Sequence, residues 1–217
     1  IFNALGDTFD FLAIRKFIMN LPIPIVMIER APDIFGVNKV LINAREGMFL
    51  AVQHLVRYGH RRIVFLGPEI TGREVEITRI NGFKSACEAL NCAETGAYVP
   101  VPDYSMATGY KAMHAYCEAR ECPTAVIAAD ELLVGVGRYL YERNLKVPQH
   151  VSLVGLDDTL TRFSAPALTS LAFPEREIAE NAVNIILEAQ KGKAMPKTIL
   201  LSPSLVERDS VARPGTA

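Results

Sequence analysis

The stretch Val151-Ser152-Leu153-Val154-Gly155-Leu156-Asp157-Asp158 decides the fold. Val151 to Gly155 carry no charge and no long polar side chain, so the run suits a strand buried on both faces, as in a parallel sheet. Two acids follow at once, where such a strand would leave the core. Working outward, the same short β-rich pattern returns at Ile23 to Ile28, Lys39 to Ile42, Arg62 to Leu66, Ala97 to Val101, Ala125 to Ala128 and Thr198 to Leu201. Between these runs lie stretches with apolar residues at helical spacing, 45–58, 76–90, 105–119, 131–143 and 175–191. In the first, Met48, Ala51, Val52, Leu55 and Val56 share one face and Gly59 follows as a left-handed stop. Ser105 and Asp130 suit helix N-caps, and Gly192 suits a helix end. Strand, helix, strand order throughout implies an α/β fold with a mostly parallel sheet covered on both faces.

No flexible linker or repeat interrupts the pattern, so any passage between lobes must run through packed segments. Val40 to Asn43, Leu171 to Pro174 and Leu201 to Ser204 are the candidates, because Pro174 and Pro203 hold the residue before them extended.

Composition narrows the function. The chain has 217 residues, 50% apolar and 22% charged, and its 23 basic against 24 acidic residues give a net charge of −1. That excludes a disordered chain, and it opposes direct nucleic-acid binding, which needs a basic surface. The apolar runs are strand-sized, far short of the ~20 residues of a membrane span. The length fits one large domain or two small ones. The chain starts at Ile1 without a signal-peptide pattern, which reads as processing or a missing beginning. The pairs Cys87/Cys92 and Cys117/Cys122 lack the C-x2-C spacing of structural zinc; they are expected to be plain thiols in a reducing compartment.

Enzyme signatures are missing. G-x-S-x-G, H-E-x-x-H and the P-loop pattern do not occur. Gly135-Val136-Gly137 lies within a helical stretch and cannot cradle a pyrophosphate. His54, His60, His114 and His150 show no metal spacing. No catalysis, cofactor or metal is expected.

Ligands of open α/β sheets bind beyond the carboxyl ends of the strands. Asp157 and Asp158, Asp130 and Tyr104 all fall there, and offer acceptors and an aromatic face to a small polar ligand. Arg79, in the helical stretch after Leu66, carries a planar fork able to clamp hydroxyls or a carboxylate. Facing Asp157 it would place donor and acceptor across one pocket.

Seven ordered segments resemble those of LacI/GalR-type bacterial transcription regulators. They are Pro24 to Arg30, His54 to Ile63, Arg79-Ile80-Asn81-Gly82-Phe83, Pro123 to Asp130, Val147 to Asp158, Pro166 to Ser170 and Leu205 to Ser210. The resemblance runs through nearly the whole chain. It implies two Rossmann-like lobes of the type I periplasmic-binding-protein kind, with an effector cleft between them and three crossings. Residues 1–42 and 173–202 would form part of an N-terminal lobe that is incomplete, and 43–172 with 203–217 the C-terminal lobe, so the length reads as truncation. By position, Arg79 and Asp157 match the family's main effector contacts, Tyr104 an aromatic packed on the ligand, and Asp130 an acid beside the pocket. Dimer contacts would fall near Val134, Arg138, Tyr141, Arg162 and Phe163.

The implied function is a cytoplasmic, homodimeric sensing core that binds a small metabolite, a sugar or related polar compound, and couples it to DNA binding through a headpiece not in these residues. A secreted solute-binding protein of a transporter is the alternative on the same fold. Two departures leave the effector open: Ala129 replaces a frequent Asn, and Leu156 replaces an aromatic.

Overall fold

A computed structural model of the chain describes residues 16–18, 20–29, 36–69, 74–93, 95–191 and 196–215. Two sheets organise them. Strands β1 (Val26–Ile28), β2 (Asn38–Ile42) and β8 (Thr198–Leu201) form a small parallel sheet in the order β1-β2-β8. The larger sheet has the order β4-β3-β5-β6-β7-β9, built from β3 (Ile63–Pro68), β4 (Ala97–Val101), β5 (Ala125–Ala128), β6 (Ser152–Gly155), β7 (Thr169–Ala172) and β9 (Ser204–Val206). All of its pairings are parallel except β7 with β9.

Alternation along the central strands explains why both faces are covered. Ile63, Phe65, Ala125, Ile127 and Val154 pack with helices α1 (Ala44–Arg57) and α2 (Glu74–Ala89) on one side. Val64, Leu66, Val126, Ala128 and Leu153 pack with α3 (Met106–Ala119) and α4 (Asp130–Glu142) on the other. Each buried Val, Leu, Ile or Phe among these contributes about 1.5–3 kcal/mol, and the alanines less. The small sheet is covered on one face by α5 (Glu175–Gln190), through Ile178, Ala182 and Ile185.

Local chemistry sets the helix ends. Ser105 caps α3, its side chain accepting from the Thr108 amide, and Gly59 takes a positive φ of 98° just past α1. The α3–α4 crossing depends on glycine: a Cβ on Gly135 would stand 1.8 Å from the Met106 carbonyl oxygen, and one on Gly109 2.1 Å from that of Leu132. The glycines of Gly135-Val136-Gly137 therefore include a helix-packing contact.

Several expectations need correction. The first strand covers only Val26–Ile28 rather than Ile23 to Ile28, because Pro22 and Pro24 supply no amide donor to a ladder. β7, which opens on Thr169 and Ser170 and lacks an unbroken apolar run, and β9, three residues long, were not among the expected strands. Asp130 is not an N-cap: Ala129 holds that place, and Asp130 opens the helix with its carboxylate turned to another loop. Cys117 and Cys122 are not plain thiols, since the chain turns back after α3 and their sulfurs are bonded. Cys87 and Cys92 are buried thiols, and burial pushes the Cys87 thiol up, with Cys92 adding to the effect. Gly192, the expected helix stop, and residues 1–15 of the first lobe lie outside the described residues.

The chain passes between the sheets at three places, Asn43, Phe173-Pro174 and Ser202-Pro203. The first and third are tied together. Asn43 Oδ1 accepts from the Glu46 amide at 3.2 Å, while the Glu46 carboxylate accepts from Asn43 Nδ2 at 2.9 Å and Ser202 Oγ at 2.6 Å.

Candidate functional site

A cleft opens where the three passages meet. Its walls come from both sheets: Glu29 follows β1, Arg79 stands on α2, and Leu156 and Asp157 follow β6. Ile42, Ala44, Phe173 and Pro203 of the connecting segments also line it. β6 is an inner strand of the sheet, so its last residues emerge at the crest rather than at an edge.

The Arg79 side chain is 12% exposed and that of Asp157 is 26% exposed; Arg79 Nη2 lies 3.8 Å from Asp157 Oδ1. That spacing is longer than a direct hydrogen bond, so the contact is an ion pair. Between the described residues the cleft leaves about 40 Å³, room for a few waters. Apolar side chains of Met48, Val75, Leu156, Leu171 and Phe173 supply the remaining surface.

Asp158, next in sequence, points elsewhere. Its positive φ of 52° turns the chain, and its Oδ1 accepts from Arg208 Nη1 at 2.6 Å and from Thr161 Oγ1 at 2.7 Å. The Arg208 hydrogen bond, helped by that of Thr161, holds its carboxyl below the usual range. Asp130, 1% exposed, gives its Oδ2 to the Thr159 amide at 2.8 Å, the Thr159 hydroxyl at 3.1 Å and the Leu160 amide at 2.9 Å. It does not line the cleft.

Tyr104 is half-buried against the α3–α4 side of the sheet, close to Tyr98, and does not line the cleft either. Burial pushes the Tyr98 hydroxyl up to about 12, with Tyr104, Glu76 and Glu69 adding to it; that hydroxyl donates to the Pro68 carbonyl.

Of the four expected ligand residues, the structure thus brings Arg79 and Asp157 together in the cleft and sets Tyr104 and Asp130 apart from it. Glu29 and Phe173 were missed. Glu29 carried a usable signal, a carboxylate directly after a strand; Phe173 carried none, since it enters the cleft through the path of the connection.

A second surface lies on the other side of the Asp157 loop. Val134 and Tyr141 of α4 and Phe163 of the short 3-10 turn Thr161–Phe163 are 42%, 76% and 83% exposed. They line one open, mainly apolar groove of about 850 Å³ with Met106, Leu160 and Pro166. Arg138 and Arg162 do not line it. Arg138 Nε donates to Glu142 at 2.7 Å, and Arg162 pairs with Asp158 at 3.7 Å. Among the described residues no group of three or more His, Cys, Asp or Glu could hold a metal, and no helix is long and apolar enough to cross a membrane.

Comparison with known proteins agrees with this fold. The periplasmic binding protein-like domain family matches residues 52–211. The HTH-type transcriptional repressor PurR of Yersinia enterocolitica is 34% identical over 178 residues, 81% of this chain and 52% of the relative. That of Vibrio atlanticus is 29% identical over 192 residues, 87% of this chain and 57% of the relative. The chain thus spans about half the length of the curated relatives it matches. Among solved structures, a LacI transcriptional regulator from a Rhodococcus species superposes with a TM-score of 0.85 at 26% identity, covering 96% of this chain and 76% of that one. A LacI family transcriptional regulator from Enterococcus faecium with bound ribose gives 0.83 at 25% identity, covering 94% and 76%. Fold and relatives agree: the chain belongs to the periplasmic binding protein-like domain family, in the form carried by LacI/GalR-type regulators.

Proposed function

We propose that this chain is the effector-sensing and dimerising core of a cytoplasmic transcription regulator. Residues 1–42 with 173–202, and 43–172 with 203–217, act as its two lobes. A small polar metabolite enters the cleft between them, taking hydrogen bonds from the Arg79 fork and giving them to Asp157. Tyr104 and Asp130 support the crest from behind. The observation that carries this reading is the Arg79–Asp157 pair, placed by elements of the larger sheet in a cleft whose other wall, Glu29, follows a strand of the smaller one.

Binding biases the lobes only to the extent that the ligand prefers one arrangement. The apolar groove at Val134, Tyr141 and Phe163 receives the same face of a second copy, with Arg138 and Arg162 near its rim. A homodimer then turns lobe movement into a change in the spacing of two DNA-reading parts, and half-site recognition depends on that spacing. DNA contact belongs to residues outside this chain, consistent with the net charge of −1.

Thermal shift against a panel of polar metabolites, ribose among them, tests the site. A ligand at 100 times its Kd stabilises by about 2.7 kcal/mol. The shift should vanish in Arg79→Ala and in Asp157→Ala; a hit unchanged in both variants would show that binding occurs elsewhere.

A further inference from the structure

The loop from Leu156 to Ser164 touches both surfaces. Asp157 lines the cleft, and three residues later Leu160 lines the apolar groove, followed by Phe163. Two carboxylates pin the residues between. Asp130 Oδ2 takes both Thr159 donors and the Leu160 amide. Asp158 is held by Arg208 and Thr161, and its own amide donates to Ser170 Oγ at 3.1 Å. Thr161 is fully buried, and its carbonyl accepts from the Leu168 amide at 2.9 Å and from Ser164 Oγ at 2.7 Å.

Asp130 is also the first residue of α4, whose outward face forms the opposite wall of the groove. One buried carboxylate therefore fixes the cleft loop to the helix that shapes the second surface. Gly155 makes room for it: a Cβ there would meet Asp130 Oδ1 and Ser170 Oγ, each at 2.6 Å. A loop with so many fixed amides cannot shift at Asp157 alone. Displacement there is passed to Leu160 and Phe163 or resisted as a unit.

We propose that Asp130 is a positioning residue that makes residues 157–163 a rigid connector, so that what happens at Arg79 and Asp157 changes the affinity of the groove for a second copy, and the reverse. This rests on the dimer reading above and extends it. The coupling is reciprocal by linkage, so self-association weakens or tightens effector binding by the same factor.

A double-mutant cycle on the full chain tests it, with wild type, Arg79→Ala, Asp130→Asn and the double variant followed by sedimentation velocity across concentration. Loss of the cleft ion pair in Arg79→Ala should shift the dimer Kd by about fivefold or more. In the Asp130→Asn background the same change should shift it by less than about twofold. Equal shifts in both backgrounds, or none in either, overturn the proposal. Thr159→Val, which deletes one donor and keeps the carboxylate, replaces Asp130→Asn should that variant fail to fold. A chain that stays monomeric refutes the dimer reading; the connector is then decided by the 19F resonance of fluorophenylalanine placed at position 163. Movement of that resonance on Arg79→Ala, lost in the Asp130→Asn or Thr159→Val background, supports the connector, and an unmoved resonance overturns it.

Discussion

The cleft and the groove take opposite kinds of side chain from one short loop. At the cleft, Asp157 meets Arg79 at 3.8 Å in a space of about 40 Å³ with an acid, Glu29, on the far wall. At the groove, Leu160 and Phe163 face outward beside Val134 and Tyr141 in an open channel of about 850 Å³. The cleft holds charges that are partly desolvated and directional, which suits selection of a small polar ligand. The groove holds exposed apolar area, whose burial is non-directional and proportional to extent, which suits a large partner. Chemistry so different, three residues apart, is possible because the chain turns at Asp158 and is pinned there by Arg208 and, through Thr159 and Leu160, by Asp130.

The most damaging way to break this contrast is at the α3–α4 crossing. Gly135→Val would press side-chain atoms into the Met106 carbonyl and the Tyr110 amide, 1.8 and 2.7 Å from the Cβ position. Backbone cannot yield there cheaply, so a loss of about 4 kcal/mol or more is expected, and the groove should go with it. Thermal unfolding by circular dichroism checks this, and a melting temperature near wild type would refute the close-approach argument.

A cleaner separation comes from Gly137→Glu. Nothing lies within 4 Å of a Cβ at Gly137, which lines the groove, so the monomer should keep its stability within about 0.5 kcal/mol. Self-association, in contrast, should weaken by about a hundredfold, since an unpaired carboxylate would be buried in an apolar contact. Metabolite-induced stabilisation should persist, changed only by the reciprocal coupling factor. Sedimentation velocity and thermal shift on one preparation read both halves, and undiminished dimerisation would move the interface elsewhere.

The smallest effects are those of pH. His60 is buried between Thr124 Oγ1 at 3.0 Å and the Ala212 carbonyl at 2.8 Å, and burial lowers its pKa. His54 is lowered by burial as well, although Glu207 opposes this. The unfolded chain then binds protons first, so stability is complete above about 6.5 and declines as pH falls below it. Asp158, lowered by Arg208, adds a second decline only as pH falls below the ordinary carboxylate range. Urea titrations at stepped pH should show two separate losses. Arg208→Met should flatten the acidic one and leave the neutral one, whereas a neutral slope surviving His60→Gln and His54→Gln together would assign it to other groups.

Legibility from sequence differed between these regions. The inner strands could be read because two-sided burial leaves an uninterrupted apolar run, as at Val151 to Gly155. Arg79 and Asp157 could be paired in advance because one follows a strand end and the other sits a turn into a helix, both at the crest where such sheets bind. Tyr104 and Asp130 occupy equivalent sequence positions and still do not line the cleft. Their strands end at the same crest, but β4 is an edge strand and the helix beginning at Asp130 lies on the α3–α4 side of the sheet. Glu29, directly after β1, needed the second sheet to become part of any site.

By itself the sequence determined the alternation of strands and helices, the burial of both faces of the larger sheet, and the set of polar residues at strand ends. Those properties are local or periodic, and each residue's neighbours along the chain suffice to express them. Only the tertiary structure decided which strand-end residue meets which. Asp157 and Asp158 are chemically identical and adjacent, yet one reaches Arg79 in the cleft and the other Arg208 in an anchored turn. The physical reason is that backbone direction at Asp158 and the positions of Asp130, Ser170 and Arg208, far apart in the chain, are fixed together by packing.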